Sequence, residues 1–264
     1  MIHPFISGNK WRKLKYLLRE AEKLQKKHLV TFGGAHSNHL LATACAAAKF
    51  GFSSTGIIRG ENVENETLLL CRLFGMHLIF TDRESYRDKS GLFKKYFLND
   101  TDAFFIDEGG SGSLAAKGCS ELIDELPEFY DHLFCAAGTG TTAAGILSGI
   151  NRKSIATRMH VIPVLKGADF LKKEIESLCA EVCFGFHTAY HFGGYAKTND
   201  ELLNFIKDFT GSTGILIDPV YTGKLLFAIY DLISKDYFTK GSRILAVHTG
   251  GITGVLGMAD RFKF

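Results

Sequence analysis

Short apolar runs alternate with segments of helical spacing along most of the chain, and several of those runs stop at glycine turns. His28–Phe32 runs into Gly33-Gly34, and Ala103–Ile106 is followed closely by Gly109-Gly110. His132–Ala137 runs straight into Gly138-Thr139-Gly140. Thr55–Arg59, His77–Phe80, Met159–Val164 and Arg243–His248 read as further strands. Between them lie helical patterns over Trp11–Lys27, Asn38–Phe50, Glu66–Phe74 and Leu114–Leu126. The first of these places Leu14, Leu17, Leu18, Ala21 and Leu24 on one face. Strands separated by helices pair in parallel, so the pattern predicts open parallel α/β sheets with helices on both faces. Ligands of such sheets bind at the carboxyl ends of the strands.

A length of 264 residues suffices for one large domain or two modest ones. The formal net charge of +3, with Lys and Arg scattered outside Lys10–Lys15, predicts no affinity for nucleic acid or acidic membranes. Six cysteines sit mostly alone in apolar runs, as buried reduced thiols do. Cys179 and Cys183 stand four apart, but nothing nearby completes a metal set, and no metal is expected. No apolar stretch is long enough for a membrane span and no signal peptide opens the chain, which leads to the expectation of a cytoplasmic protein.

The strongest local signal is Gly138-Thr139-Gly140-Thr141-Thr142. Two glycines let the backbone approach a ligand, and the helix start that follows offers N–H groups and a positive dipole end, a combination suited to phosphate. It has neither the lysine of a Walker loop nor the third glycine of a dinucleotide fingerprint, and a plain glycine-rich turn explains it equally well alone. Lys10 stands at a helix start, where the dipole disfavours a cation and lowers the pKa of an amine needed as a nucleophile. A solvated basic patch is the blander account. Gly33-Gly34-Ala35-His36-Ser37-Asn38-His39 forms a strand-to-helix turn whose N–H groups suit a carboxylate, with Ser37 as the cap. Asp218–Lys224 and His248-Thr249-Gly250-Gly251 complete the set.

Each motif is weak alone, but together and in this order they resemble a family. Gly8-Asn9-Lys10-x-Arg12-Lys13-Leu14, Gly33-Gly34-x-x-Ser37-Asn38, Gly138-Thr139-Gly140-x-Thr142, Asp218-Pro219-Val220-Tyr221-x-Gly223-Lys224 and His248-Thr249-Gly250-Gly251 look like the 1-aminocyclopropane-1-carboxylate deaminase and D-cysteine desulfhydrase family. The resemblance spans almost the whole chain. It implies a pyridoxal 5'-phosphate (PLP) enzyme of the tryptophan synthase β-subunit-like fold, a lyase or hydrolase acting on a small amino acid.

By that resemblance Lys10 is the Schiff-base lysine and Gly138, Thr139, Gly140, Thr141 and Thr142 bind the cofactor phosphate. Asn38 bonds the ring hydroxyl, while Thr222 and Thr249 lie towards the pyridine nitrogen. Ser37, Asn38, His39, Tyr195 and Tyr221 meet the substrate, with Lys10, Ser37, Tyr195 and Tyr221 as the catalytic groups. The implied domains are 1–15 with 122–264, holding PLP, and 16–121, carrying the Ser37-Asn38 loop, with the cofactor between them. A homodimer is implied too.

One site admits two outcomes, D-cysteine to pyruvate, sulfide and ammonia, or cyclopropane opening to 2-oxobutyrate and ammonia. The cyclopropane branch resembles Tyr-Glu-Gly where this chain has Tyr221-Thr222-Gly223, and a neutral residue there points to D-cysteine. A serine dehydratase or racemase on the same fold, or a non-catalytic PLP-binding paralogue, is the alternative. Only nine residues precede Lys10, fewer than in such relatives, which suggests a shortened chain. His36 stands where relatives carry Gln or Tyr, and Thr141 where a glycine is common.

Overall fold

The computed structural model describes residues 3–179, 183–251 and 253–263. The chain divides into two compact units, residues 1–115 and 116–264.

In the first unit, β1 (His28–Gly34), β2 (Ser53–Arg59), β3 (Met76–Thr81) and β4 (Ala103–Ile106) form a parallel sheet in the order β3-β2-β1-β4. His28 is the partner of Ser53 on one side and of Ala103 on the other. The strands are apolar on both faces because helices cover both. Leu29 and Ile106 pack under α1 (Asn9–Lys23) and α2 (Asn38–Phe50), through Leu14, Leu17, Leu18, Ala42 and Cys45. Ile58 meets α3 (Glu66–Leu73) through Leu68 and Cys71. Val30, Phe32 and Ile57 face the other way, onto Leu92 of α4 (Lys89–Phe97) and Tyr86. Helix α1 packs in this unit through the apolar stripe Leu14, Leu17, Leu18 and Ala21.

The stretch expected as one helix over Leu114–Leu126 is two pieces, α5 (Ser113–Ser120) and a 3₁₀ turn at Glu121–Glu125. Such turns commonly end helices.

The second unit repeats the plan. Strands β5 (His132–Ala137), β6 (Arg158–Pro163), β7 (Phe184–Phe186) and β8 (Ile244–Ala246) are parallel in the order β7-β6-β5-β8. Phe134 pairs with His160 and with Ala246. On one face Leu133, Cys135 and Val161 pack against Ile146 of α6 (Thr141–Lys153) and Leu171 of α7 (Phe170–Leu178). On the other, Phe134 and Ile162 pack against Leu225 and Ile229. Those two belong to α9 (Thr222–Ser234), beside which α8 (Asp200–Thr213) packs through Ile206. Strand β7 was not expected: three half-buried residues give no apolar run to recognise. Among the described residues no helix is long and apolar enough to cross a membrane.

Candidate active site

The first unit gathers its expected residues at the carboxyl end of its sheet. Ser37 caps α2, its Oγ accepting from the N–H groups of His39 (3.3 Å) and Leu40 (3.4 Å). The preceding turn is tight: a Cβ on Gly33 would lie 2.8 Å from the Ser37 side chain. Asn38 is the first residue of α2 and is half-buried. Lys10 is the second residue of α1, half-buried, with its N–H on the Ser7 carbonyl at 3.2 Å.

His39 points inward rather than to solvent. Its ring is 2% exposed, and Nε2 lies 2.8 Å from Thr31 Oγ1, which itself donates to the Ile106 carbonyl. Nε2 is therefore the protonated nitrogen, and Nδ1 is a buried acceptor with no partner among the described residues. Burial holds the imidazole well below its usual range, and the cations Lys10 and Lys13 push it further down. Lys13, within the basic cluster, is not solvated: it is 2% exposed and donates to the Gly109 carbonyl at 2.8 Å.

The second unit places the 138–142 loop between β5 and α6. Gly140, at φ 77°, is the N-cap of α6 and has no side chain with which to satisfy the first N–H groups of the helix. Tyr221 covers the loop: a Cβ on Gly138 would lie 3.1 Å from its ring and its hydroxyl. Thr141 and Thr142 are buried, and the Thr139 and Thr141 hydroxyls are 3.4 Å apart. The ring of Tyr195 stands edge-on to that of Tyr221, with centroids 6.1 Å apart.

Asp218 organises the turn into α9. Its Oδ1 accepts from the N–H groups of Val220 (2.8 Å) and Tyr221 (2.7 Å), and Oδ2 from the Thr222 N–H (2.9 Å). Oδ2 also accepts from the Thr222 hydroxyl at 2.7 Å, whose oxygen accepts in turn from the Asp218 N–H. Thr222 is fully buried, and its proton is spent inside the protein rather than offered to a ring nitrogen. With Phe209, Ile215, Leu225, Leu226 and His248 it borders an apolar cavity of about 140 Å³. Thr249 is 8% exposed beyond β8, and the preceding His248 donates from Nε2 to the Leu216 carbonyl.

A glycine turn into a helix start without a capping side chain, roofed by a tyrosine, is a cradle with the charge preference of a phosphate, and the residues fit PLP. Residues 2–250 match the pyridoxal-phosphate dependent enzyme family. The chain belongs to that family. This PLP-dependent enzyme is 30% identical to the bifunctional D-cysteine desulfhydrase/1-aminocyclopropane-1-carboxylate deaminase, mitochondrial, of Arabidopsis thaliana. The alignment covers 97% of this chain and 71% of that protein. Among solved structures it resembles a 1-aminocyclopropane-1-carboxylate deaminase homologue, with TM-score 0.86, 29% identity, and 97% of this chain and 84% of that one covered. It shares the fold of a fungal L-serine ammonia-lyase from Rhizomucor miehei, at TM-score 0.72 and 13% identity, covering 99% and 91%. The PLP enzyme is thus a lyase of the expected fold, and the hydrolase class entertained beside it is set aside.

Two residues of consequence escaped the sequence reading, Lys13 and Lys224. Both are buried lysines whose amines bond backbone carbonyls. Their placement inside otherwise recognised motifs was the only signal.

Proposed function

We propose that the enzyme releases sulfide, pyruvate and ammonia from D-cysteine, with 1-aminocyclopropane-1-carboxylate as a second substrate. Bound PLP supplies an electron sink for charge developing at the substrate α-carbon, and the protein selects which bond breaks. Lys10 would hold the cofactor covalently, and the 138–142 loop its phosphate. Asn38 would bond the ring hydroxyl and Thr249 lie towards the ring nitrogen.

Ser37 Oγ already accepts two N–H bonds, which leaves its O–H to donate. A substrate carboxylate at the start of α2 takes that proton donor together with the positive end of the helix dipole. Lys10 Nζ would be the base that takes the α-proton. Tyr195 or Tyr221 would give its phenolic proton to the departing sulfur and recover one from solvent, while the proton held by Lys10 passes to solvent in turn. The C–S bond breaks, hydrogen sulfide leaves, and water completes the conversion to pyruvate and ammonia.

The observation that carries the substrate class is at residue 222. The threonine there is neutral and its hydroxyl is bound to Asp218, whose own oxygens accept four hydrogen bonds. Residue 222 thus supplies no carboxylate to deepen the electron sink, and Asp218 is taken up by its own turn, which favours a substrate bearing its own good leaving group. A β-thiol is one. The Arabidopsis relative, by its name, handles both substrates.

The test is a product assay of the PLP-loaded enzyme with D-cysteine, L-cysteine, D-serine and 1-aminocyclopropane-1-carboxylate. Sulfide and pyruvate from D-cysteine, at a kcat/KM above that for 2-oxobutyrate from the cyclopropane, support the reading. Turnover of the cyclopropane alone overturns it.

A cytoplasmic, homodimeric enzyme is part of the same proposal. All six cysteines are unbridged, as in a reducing compartment. Ile215, Tyr230 and Ile233 are each about half exposed, an apolar surface that a second copy would cover.

A further inference from the structure

Lys224 lies one turn beyond Tyr221 on α9 and is fully buried. A lysine is rarely buried without partners. Its Nζ donates to the carbonyls of His191 (2.9 Å) and Gly194 (2.8 Å). Both carbonyls belong to the turn that carries Tyr195.

That turn is held in costly backbone conformations. Phe192, Gly193, Gly194 and Ala196 have φ of 51°, 93°, 127° and 54°. For the non-glycine pair this left-handed geometry is disfavoured by the side-chain Cβ. Its internal bonds include Gly194 N–H to the His191 carbonyl at 3.0 Å, Lys197 N–H to the Gly194 carbonyl at 3.1 Å, and Gly193 N–H to His191 Nδ1 at 2.9 Å. Two of the acceptor carbonyls are the ones Lys224 holds. Arg261 adds an exposed contact to the Ala196 carbonyl at 3.1 Å.

We propose that Lys224 is a positioning residue: its buried amine ties the 191–195 turn to α9 and so sets Tyr195 edge-on to Tyr221. This role rests on the assignment of both tyrosines to the substrate. The residue needs two N–H groups and no more. Burial lowers its pKa to about 8, with the Asp218 carboxylate acting in the opposite sense, and the neutral amine retains both donors. The anchor therefore persists on either side of that pH.

The experiment combines hydrogen exchange with a double-mutant cycle. In the parent, amides of the 191–197 turn exchange slowly for a surface turn. In Lys224→Met they exchange about tenfold faster or more, with exchange in β5 and α6 unchanged. PLP affinity, read by absorbance titration, stays at the parent value because the phosphate loop is untouched. With D-cysteine, kcat falls about 10- to 100-fold, as expected when a reacting group is displaced by an ångström. Lys224→Arg restores part of it.

In a Tyr195→Phe background, adding Lys224→Met has little further effect on kcat, because the tyrosine it positions is already disabled. Full additivity of the two losses overturns the proposal, as does unchanged exchange in the turn. If Lys224→Met does not fold, the parent still decides: fast exchange at 191–197 contradicts an anchored turn, and slow exchange supports it. Tyr195→Phe with parent kinetics would instead remove the tyrosine from the chemistry while leaving the anchor standing.

Discussion

The Asp218 carboxylate and the Thr222 hydroxyl are locked together: Oδ2 accepts from Oγ1 at 2.7 Å, and Oγ1 accepts from the Asp218 N–H at 2.7 Å. Both side chains are buried, and the other carboxylate oxygen holds the Tyr221 N–H. Thr222 thus acts on the site through the backbone that presents Tyr221.

Thr222→Val keeps the shape and removes both bonds. It leaves the Asp218 N–H without its partner and should cost about 1–3 kcal/mol, read from the urea midpoint. The kcat for D-cysteine should fall more than KM rises, because Tyr221 shifts while Ser37, the proposed carboxylate anchor, does not. A variant as stable as the parent would show that the pair is dispensable.

Ser37 caps α2, and the proposed function gives it a second, separable duty at the substrate carboxylate. Ser37→Ala should lose about 1 kcal/mol of stability, whereas Ser37→Gly loses only a few tenths. Activity should not follow that order. Both variants remove the hydroxyl, so both should lose kcat/KM alike. If kcat/KM tracked stability, the hydroxyl would be a cap and nothing else.

Three histidines cross the second sheet in a hydrogen-bonded row. His132 Nδ1 lies 3.0 Å from His160 Nε2, and His160 Nδ1 lies 3.0 Å from His187 Nε2, with Phe134 stacked on the middle ring. Burial, reinforced by its two neighbours, lowers the pKa of His160 to about 3, and burial lowers those of His132 and His187 too. The folded chain therefore refuses protons that the unfolded chain accepts at its ordinary pKa of about 6.5. The stability these neutral rings contribute is complete above about pH 6.5 and is lost as pH falls below it. Each such ring adds a slope of up to about 1.4 kcal/mol per pH unit. The urea midpoint should drop between pH 7.5 and 5.5, and His160→Gln should flatten that drop. An unchanged parent midpoint would contradict the burial of neutral rings.

Much of this was legible in the sequence. The bounds Asn38–Phe50 for α2 follow from Ser37 before it and Gly51 after it, a cap and a stop that act locally. The strands entering Gly33-Gly34 and Gly138-Thr139-Gly140 were legible because strands buried on both faces are apolar throughout. What was not legible depends on partners distant in sequence. Lys13 bonds Gly109, and Lys224 bonds His191 and Gly194, so neither behaves as the solvated charge its residue type suggests. The direction of the Thr222 hydroxyl and the inward turn of His39 are likewise set by the neighbour each finds, which periodicity does not encode. The partner of helix α1 was not legible either, because its amphipathic stripe says that it packs, not against what.

The most direct test of the central claim is borohydride reduction of the PLP-loaded enzyme, followed by proteolysis and peptide mass mapping. A PLP adduct on Lys10, absent from Lys10→Ala, is the predicted result. An adduct confined to another lysine, or none in protein that has bound PLP, would contradict the assignment of Lys10 and the mechanism built on it.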